Sequence, residues 1–475
     1  VILPLDEDAL RQTVRELKGA EIESIAVCFL FSFLAPEHEK RAGVIIAEEL
    51  PECGVSLSSD VAPQIREYYR LSTTIINAYL HPILARYIDR LEGRLSGAGV
   101  ATRQKYIMQS NGGMSTFGAS AKKAVATVLS GPAGGVSASL EACRATGFQN
   151  LITFDMGGTS CDVALIKDGA PSLSTRGKIE GRDIALPMID INTVSAGGGT
   201  LARVDQLGQL QVGPQSAGAV PGPACYGRGG SESTITDCNL AMGYLGEDNF
   251  LGGGMRLDAE ASRNALQKNI ASKLGMDLVD SAEGIVRIID VKMQEAIKAI
   301  STMRGHDLRD FHLLAFGGAG PLHAARIAEN LGMAGVVVPL FPGVYSAMGL
   351  LISDVKHDYV RSKMSPLAKA KLDDVIEIFN ELEEQARNDL GEEEFSKERI
   401  AIERAIDMRY AGQGYELTIA CPATLNADSI QILRAEFDKQ HEKMFGHTAP
   451  DEAVEIISYR LRGIGKVPPV SLREY

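Results

Sequence analysis

The stretch TFDMGGTSCDVALI, residues 153–166, decides how this chain is read. An apolar run ends in Asp155, the chain turns over Gly157, Gly158 and Thr159, and a second apolar run leaves through Asp162. Two short apolar runs around so tight a turn predict a β-hairpin, not a strand-to-helix turn. A Walker loop needs its glycines followed by Lys-Ser/Thr at the opening of a helix, and no such motif occurs in the chain. Glycines at a hairpin tip still let successive N–H groups form an anion-binding concavity. Asp155, at the strand end, could hold magnesium or its waters, and the Thr159 hydroxyl could donate to a phosphate oxygen. The same pattern also fits an Asp-x-Gly-Gly turn held by its own side chain.

Further glycine clusters lie outward from this hairpin. In LAFGGAGPLHA, residues 314–324, an apolar strand runs into Gly317, Gly318 and Gly320, and Pro321 then opens a helix. The spacing does not satisfy G-x-G-x-x-G, so a dinucleotide fingerprint is not met. The turn could lie under a nucleoside or face a phosphate, or it could simply pack a helix closely on a strand. SAGGGT, residues 195–200, puts Gly197, Gly198 and Gly199 after another apolar strand, where they could make an amide-lined wall. SGPAGGVSAS, residues 130–139, reads as a helix start, with a cap by Ser130 the simplest account. His306 and His323 read best as structural histidines, and Cys161 and Cys225 as buried inert thiols.

The chain has 475 residues, a net charge of −13 and no long basic run, which argues against non-specific nucleic-acid binding. Its seven cysteines form no C-x-x-C pair, so a zinc knuckle or disulfide framework is not indicated and a reducing, cytoplasmic setting is expected. Met333–Ile352 is uncharged but carries prolines and glycines, so a strand, a turn and a helix are expected there instead of a membrane span. Helix and strand signals alternate over the first hundred residues, with a helical pattern from Arg66 to Leu95 expected to break or kink at Pro82. The chain starts at Val1 without a methionine, as the middle of a longer polypeptide would.

Six motifs then stand in order: SNGGMSTFGASAKKAVATVLSGPAGGVSAS, TFDMGGTSCDVALI, INTVSAGGGTLARVD, VGPQSAGAVPGPACYGRGG, MRGHDLRDFHLLAFGGAGPLHAARIAENLG and VPLFPGVYSAMGLLISD. With them the chain resembles the hydantoinase A / 5-oxoprolinase family. The resemblance implies an α/β protein of the actin-like, hexokinase-like ATPase fold, built from ribonuclease H-like halves, with a smaller C-terminal α+β module. It implies three parts: the end of the family's N-terminal domain in residues 1–102, a central ATPase-like domain in 103–355 and the C-terminal module in 356–475.

The implied cofactors are ATP and Mg²⁺. Asp155 would be a catalytic residue that holds Mg²⁺ or positions water, with Asp162 as a second acidic candidate. Gly157, Gly158 and Thr159 would bind phosphate, Gly197, Gly198 and Gly199 would line the cleft, and Gly317, Gly318 and Gly320 would meet the nucleoside. The family's first phosphate turn, of the same Asp-x-Gly-Gly-Thr type, belongs near the N-terminus; the chain has no second copy, so that half of the site is expected upstream of Val1 or is missing. The implied activity is ATP-dependent hydrolysis of a cyclic amide, hydantoin or 5-oxoproline in type, by an A-type subunit working with a B-type subunit, with a homodimer as a further expectation. The alternatives are a subunit of an acetone- or acetophenone-type carboxylase, or a nucleotide-binding regulator without small-molecule chemistry. Neither nucleic acid nor membrane is an expected partner.

Overall fold

The computed structural model describes residues 3–102, 104–179, 181–422, 424–426 and 428–468. Arg103, where the central domain is expected to begin, and the end positions Val1 and Tyr475 lie outside the described residues. The chain forms two compact units, each assembled from separated segments: Gly131–Leu173 with Ile189–Ile352, and Val1–Ser130 with Ser174–Met188 and Ser353–Tyr475.

The first of these units is built on one sheet. Its strands lie in the order Ile191–Val194, Cys161–Lys167, Leu151–Met156, His312–Phe316 and Gly335–Val337, with Ala170–Pro171 added beside Cys161–Lys167. Cys161–Lys167 runs antiparallel to both neighbours, whereas Leu151–Met156, His312–Phe316 and Gly335–Val337 are parallel. Counted along the chain this is the order 3-2-1-4-5 with the second strand reversed, the ribonuclease H-like arrangement of the actin-like ATPase fold. One such sheet occurs among the described residues.

Both faces of the sheet are covered, which is why its strands read as near-continuous apolar runs. Ile152, Phe154, Met156, Leu313 and Ala315 pack on one side against Ile285, Ile289, Met293 and Ile297 of helix Leu278–Ile300 and Ile327 of helix Gly320–Leu331. The alternate residues Leu151, Leu314 and Phe316 face Ala133 and Val136 of helix Ser130–Thr146 and Tyr345 of helix Tyr345–Ile352. Each fully buried Ile or Phe contributes about 1.5–3 kcal/mol.

The hairpin expected over residues 153–166 forms, with Asp155 paired to Asp162 and Met156 to Cys161. The strand, glycine turn and helix expected around residues 314–324 also form, as strand His312–Phe316 and helix Gly320–Leu331, Pro321 sitting in the first turn and Gly332 closing the helix at φ +64°. Met333–Ile352 resolves into strand Gly335–Val337, a turn at Pro342–Val344 and helix Tyr345–Ile352, and no described helix is long and apolar enough to cross a membrane. Ser130 is the first residue of its helix instead of a cap preceding it.

The other unit carries a six-stranded sheet in the order Leu417–Cys421, Ile400–Tyr410, Val454–Gly465, Val355–Pro366, Met114–Thr116 and Tyr106–Met108. The C-terminal strands thus share a sheet with the start of the glycine-rich region, through the single parallel pairing of Val355 with Met114. Helices Leu372–Glu392 and Ser429–Phe445 pack on this sheet through Phe379, Leu382, Leu433 and Phe437. A separate parallel pair, Ser24–Val27 with Gly54–Leu57, is bridged by helix Glu37–Glu49. The helix Glu67–Gly97 runs 31 residues through Pro82 without ending there, so of the expected break or kink the break does not occur. A proline inside a helix removes one backbone donor, and the remaining turns carry the element across it.

Candidate functional site

Two turns meet at the carboxyl ends of neighbouring strands in the ribonuclease H-like unit. Phe316 stands beside Asp155 in the parallel register, so the turn after His312–Phe316 lies against the tip of the hairpin. Ala319 donates its N–H to the Met156 carbonyl at 2.9 Å, tying one turn to the other. In open α/β sheets, ligands bind outside the carboxyl ends of the strands, and this is such an edge.

The backbone makes the hairpin tip rigid. Gly157 donates to the Ser160 carbonyl at 3.1 Å, closing the turn. Gly198 and Gly199 then donate to the carbonyls of Gly157 and Gly158 at 3.0 and 2.7 Å, while Gly197 donates to the Thr200 hydroxyl at 2.8 Å. All three glycine N–H groups of the SAGGGT segment are therefore spent inside the protein. An amide-lined wall needs free donors, so Gly197, Gly198 and Gly199 act as a brace behind the turn. A Cβ at Gly197 would sit 2.5 Å from the Gly158 carbonyl carbon and the Thr159 nitrogen, which is why this approach requires glycine.

The front of the tip differs. Among the described residues the N–H groups of Gly158, Thr159 and Gly318 have no protein partner. A Cβ built on Gly157, Gly158 or Gly318 would meet open space. Gly158, Thr159 and Gly318 are exposed. Unpartnered amides on two adjacent turns are donors for an anion. Gly317 and Gly320 do a different job. Gly317 holds φ +81° with a would-be Cβ 2.4 Å from the Met156 oxygen and 2.5 Å from Asp155 Oδ1, and Gly320 packs against the Phe154 carbonyl. They set the spacing of the two turns.

Asp155 and Asp162 are directly opposed in the antiparallel ladder, which places their Cβ atoms about 5 Å apart on one face. Ser346 Oγ donates to Asp155 Oδ2 at 3.0 Å. Thr193 Oγ donates to Asp162 Oδ1 at 2.5 Å, and Ser160 Oγ to Asp162 Oδ2 at 3.3 Å. Burial pushes the Asp155 carboxyl above the usual range, Ser346 works against this, and the neighbouring Asp162 adds to it. Burial likewise raises Asp162 against the pull of Thr193 and Ser160. Among the described residues no cationic side chain pairs with either acid. Two half-buried carboxylates side by side without a counter-charge form a site that gains from a cation. Among the described residues no cluster of three or more His, Cys, Asp or Glu exists to cage a metal alone. Mg²⁺ commonly takes one or two carboxylates and completes its shell with water and phosphate oxygens, so the donor set suits it.

Ser346 escaped the sequence reading because it is 191 positions from Asp155. It arrives there through a glycine crossing: a Cβ on Gly349 would fall 1.9 Å from the Gly134 carbonyl oxygen, so helices Ser130–Thr146 and Tyr345–Ile352 approach backbone to backbone. The glycine in SAMG, four residues after Tyr345, was the available signal. His323 is a satisfied buried histidine, 2.7 Å from Asp290 and 3.2 Å from Asn239. Burial beside Asp162 and Asp155 pushes the Cys161 thiol far up, which fits an inert core sulfur.

The hydantoinase/oxoprolinase sequence profile matches residues 70–359, with the family's N-terminal region matching 1–50 and its C-terminal domain 365–470. The chain belongs to the hydantoinase/oxoprolinase family. It is 36% identical over 473 residues to caprolactamase subunit alpha of Pseudomonas jessenii, covering 98% of this chain and 68% of that protein. It is 33% identical to the 5-oxoprolinase of Saccharomyces cerevisiae over 98% of this chain, but spans only 36% of that protein. The crystal structure of the ATP-dependent caprolactamase from Pseudomonas jessenii superposes with a TM-score of 0.85 at 35% identity, over all of this chain and 69% of that one. The nucleotide-free structure of acetone carboxylase, from work on ATP-dependent acetone carboxylation, gives 0.81 at 28% identity, with the same coverage.

Proposed function

We propose that this chain is the nucleotide-binding, A-type subunit of an enzyme that hydrolyses a cyclic amide at the expense of ATP. The observation that carries the reading is the pair of turns at the sheet edge, whose three unpartnered amides adjoin two carboxylates without a counter-charge. The caprolactamase relative, ATP-dependent by its own description, supports the substrate class.

An unstrained lactam resists water because its nitrogen is a poor leaving group. The chemistry ATP supplies is a phosphoryl group for the amide oxygen, which leaves the ring carbon electrophilic. The chain's own residues do the positioning. The N–H groups of Gly158, Thr159 and Gly318 hold phosphate oxygens and stabilise charge on the transferring group. Asp155 and Asp162 would hold Mg²⁺, Asp155 being oriented by Ser346. The Gly197–Gly199 brace keeps the hairpin tip from moving as charge develops, so the donors need no reorganisation. Gly317 and Gly320 keep the second turn close enough to share the ligand. A second subunit completes ring opening, as the designation of the caprolactamase relative as a subunit suggests.

The acetone carboxylase likeness favours one alternative, a carboxylase subunit. ATP consumption by the chain with its partner subunit separates the two. Stimulation by a lactam without bicarbonate supports the hydrolase. Stimulation by a ketone only when bicarbonate is present supports the carboxylase. Binding of Mg-ATP with neither response would leave a nucleotide-responsive regulator.

A further inference from the structure

The second unit contains a cavity of about 120 Å³ that the nucleotide site does not use. Strand Val355–Pro366, the segment Asn111–Lys123 and the loop at Leu186–Pro187 line it. Its lining is mixed. Ala119, Ala126, Leu186 and Pro187 are apolar lining residues, and Ser115, Lys123, Asn111 and Lys356 are polar ones.

The charges in the lining are unevenly matched. Asp358 is satisfied twice: Arg462 Nε donates to Oδ1 at 2.8 Å and Asn111 Nδ2 to Oδ2 at 2.7 Å. Burial works against its charged form, yet Arg462, Asn111 and Lys123 hold it below the usual range. Asp389 accepts from the Tyr359 hydroxyl at 2.7 Å. Lys356 reaches the Gly112 carbonyl only at 3.4 Å. The Lys123 ammonium has no hydrogen-bond partner among the described residues, and burial lowers its affinity for the proton against the pull of Asp358. Ser115 is 1% exposed and its hydroxyl also lacks a partner. Buried polar groups are ordinarily hydrogen-bonded, and a buried hydroxyl without a partner, lining the same cavity as an ammonium without a hydrogen-bond acceptor among the described residues, marks a missing acceptor.

We propose that this cavity is a binding site for a small organic carboxylate, held by the Lys123 ammonium and the Ser115 hydroxyl with its short carbon skeleton against Leu186 and Pro187. Three features select this chemistry. The ammonium and hydroxyl are both donors, so the ligand must supply acceptors. The volume of about 120 Å³ suits a ligand of only a few heavy atoms. The apolar lining residues offer nothing to a fully hydrated ion and favour a ligand with a hydrocarbon end. The assignment stands apart from the ATP reading, because none of its residues belongs to the hairpin site.

The test is titration of the whole chain with propanoate, acetate and bicarbonate by calorimetry or ligand-observed NMR, using wild type, Lys123→Met and Ser115→Ala. Saturable propanoate binding that weakens roughly tenfold or more in Lys123→Met and several-fold in Ser115→Ala is expected, with Mg-ATP binding unchanged in both. Should Lys123→Met fail to fold, Ser115→Ala carries the test, since it removes one hydroxyl. Absence of saturable binding to folded wild type overturns the proposal, and so does binding that both variants leave intact. Binding of bicarbonate with no response to propanoate overturns the organic-carboxylate assignment. Loss of Mg-ATP binding in Asp155→Asn would bear on the nucleotide site and leave this result untouched.

Discussion

Two aspartates in the same unit, Asp237 buried and Asp155 half-buried, show how differently one residue type can be used. Asp237 accepts from the backbone N–H groups of Ala224, Cys225 and Thr234 and from the hydroxyls of Thr234 and Ser262, all within 3.2 Å. Among the described residues Asp155 accepts from Ser346 alone. Both acids lie beside glycine- or proline-rich loops, and neither pairs with a cation among the described residues. The difference is the number of donors. A carboxylate whose lone pairs are all taken has nothing left for a ligand and serves as a structural hub. A carboxylate with one donor and a like charge opposite retains free acceptor capacity and gains from a cation.

The largest expected effect follows from replacing Asp237 by Asn. One acceptor oxygen becomes an amide NH₂ facing donors, so at least two hydrogen bonds are lost and their donors stay buried. A cost of about 3–5 kcal/mol and a fall in melting temperature of roughly 10 °C are expected. The VPGPACYG segment should loosen as well, seen as faster amide exchange at Ala224 and Cys225. Stability equal to wild type would break the distinction between hub and ligand site.

Gly317→Ala should come next. The residue sits at φ +81°, and its Cβ would meet the Met156 oxygen and Asp155 Oδ1. A left-handed backbone costs an alanine about 1–2 kcal/mol, and relieving the clash must push the two turns apart. Expected outcomes are a destabilisation of about 2–3 kcal/mol and loss of measurable Mg-ATP binding. Alanine at Gly318, where a Cβ meets open space, should leave stability within about 1 kcal/mol of wild type and affect only ligand affinity.

What the sequence disclosed, and what it withheld, follows the same division. The hairpin, the strand–turn–helix around Gly317 and the α/β class were legible because they depend on local alternation, glycine and proline. The family motifs marked Asp155 and its turn. The sequence did not show which glycine amides are free. Gly197, Gly198 and Gly199 look like the best amide wall in the chain, yet their donors serve Thr200, Gly157 and Gly158. Hydrogen-bond partners are set by tertiary packing, which glycine spacing does not encode. Asp237 and Ser346 were missed for the same reason: each acts across a fold-level contact. The pairing of residues 106–116 with the C-terminal strands was equally hidden, because its partner strand begins at Val355.

Asp155→Asn separates function from stability. In the folded chain the Asp155 carboxyl is shifted upward, so the folded state binds its proton more tightly than the unfolded state does. This group's contribution to stability then falls as pH rises from about 4 through the raised value, and the full cost is present above it. The variant should therefore be more stable than wild type at pH 7, with the advantage shrinking on acidification and gone below about pH 4. Mg-ATP affinity should fall roughly tenfold or more, together with its magnesium dependence. A variant that is less stable at every pH would make Asp155 a second hub like Asp237.

The smallest effect, from Ser346→Ala, is the sharpest probe of how the acid is held. The hydroxyl donates to Asp155 Oδ2, a bond worth about 1 kcal/mol net, so its loss should weaken Mg-ATP binding roughly fivefold. Two mechanisms could produce that loss, and they differ in pH dependence. If the hydroxyl acts by favouring the ionised carboxylate, its removal moves Asp155 further up. The affinity deficit is then greatest at mildly acidic pH and narrows as pH rises past the new value. If Ser346 matters instead because it lies at the Gly134–Gly349 helix crossing, the site is displaced by the same amount at every pH. The deficit is then flat. Titration of wild type and Ser346→Ala with Mg-ATP between pH 5.5 and 8.5 distinguishes the two, and only a narrowing deficit supports a carboxylate tuned by a single donor.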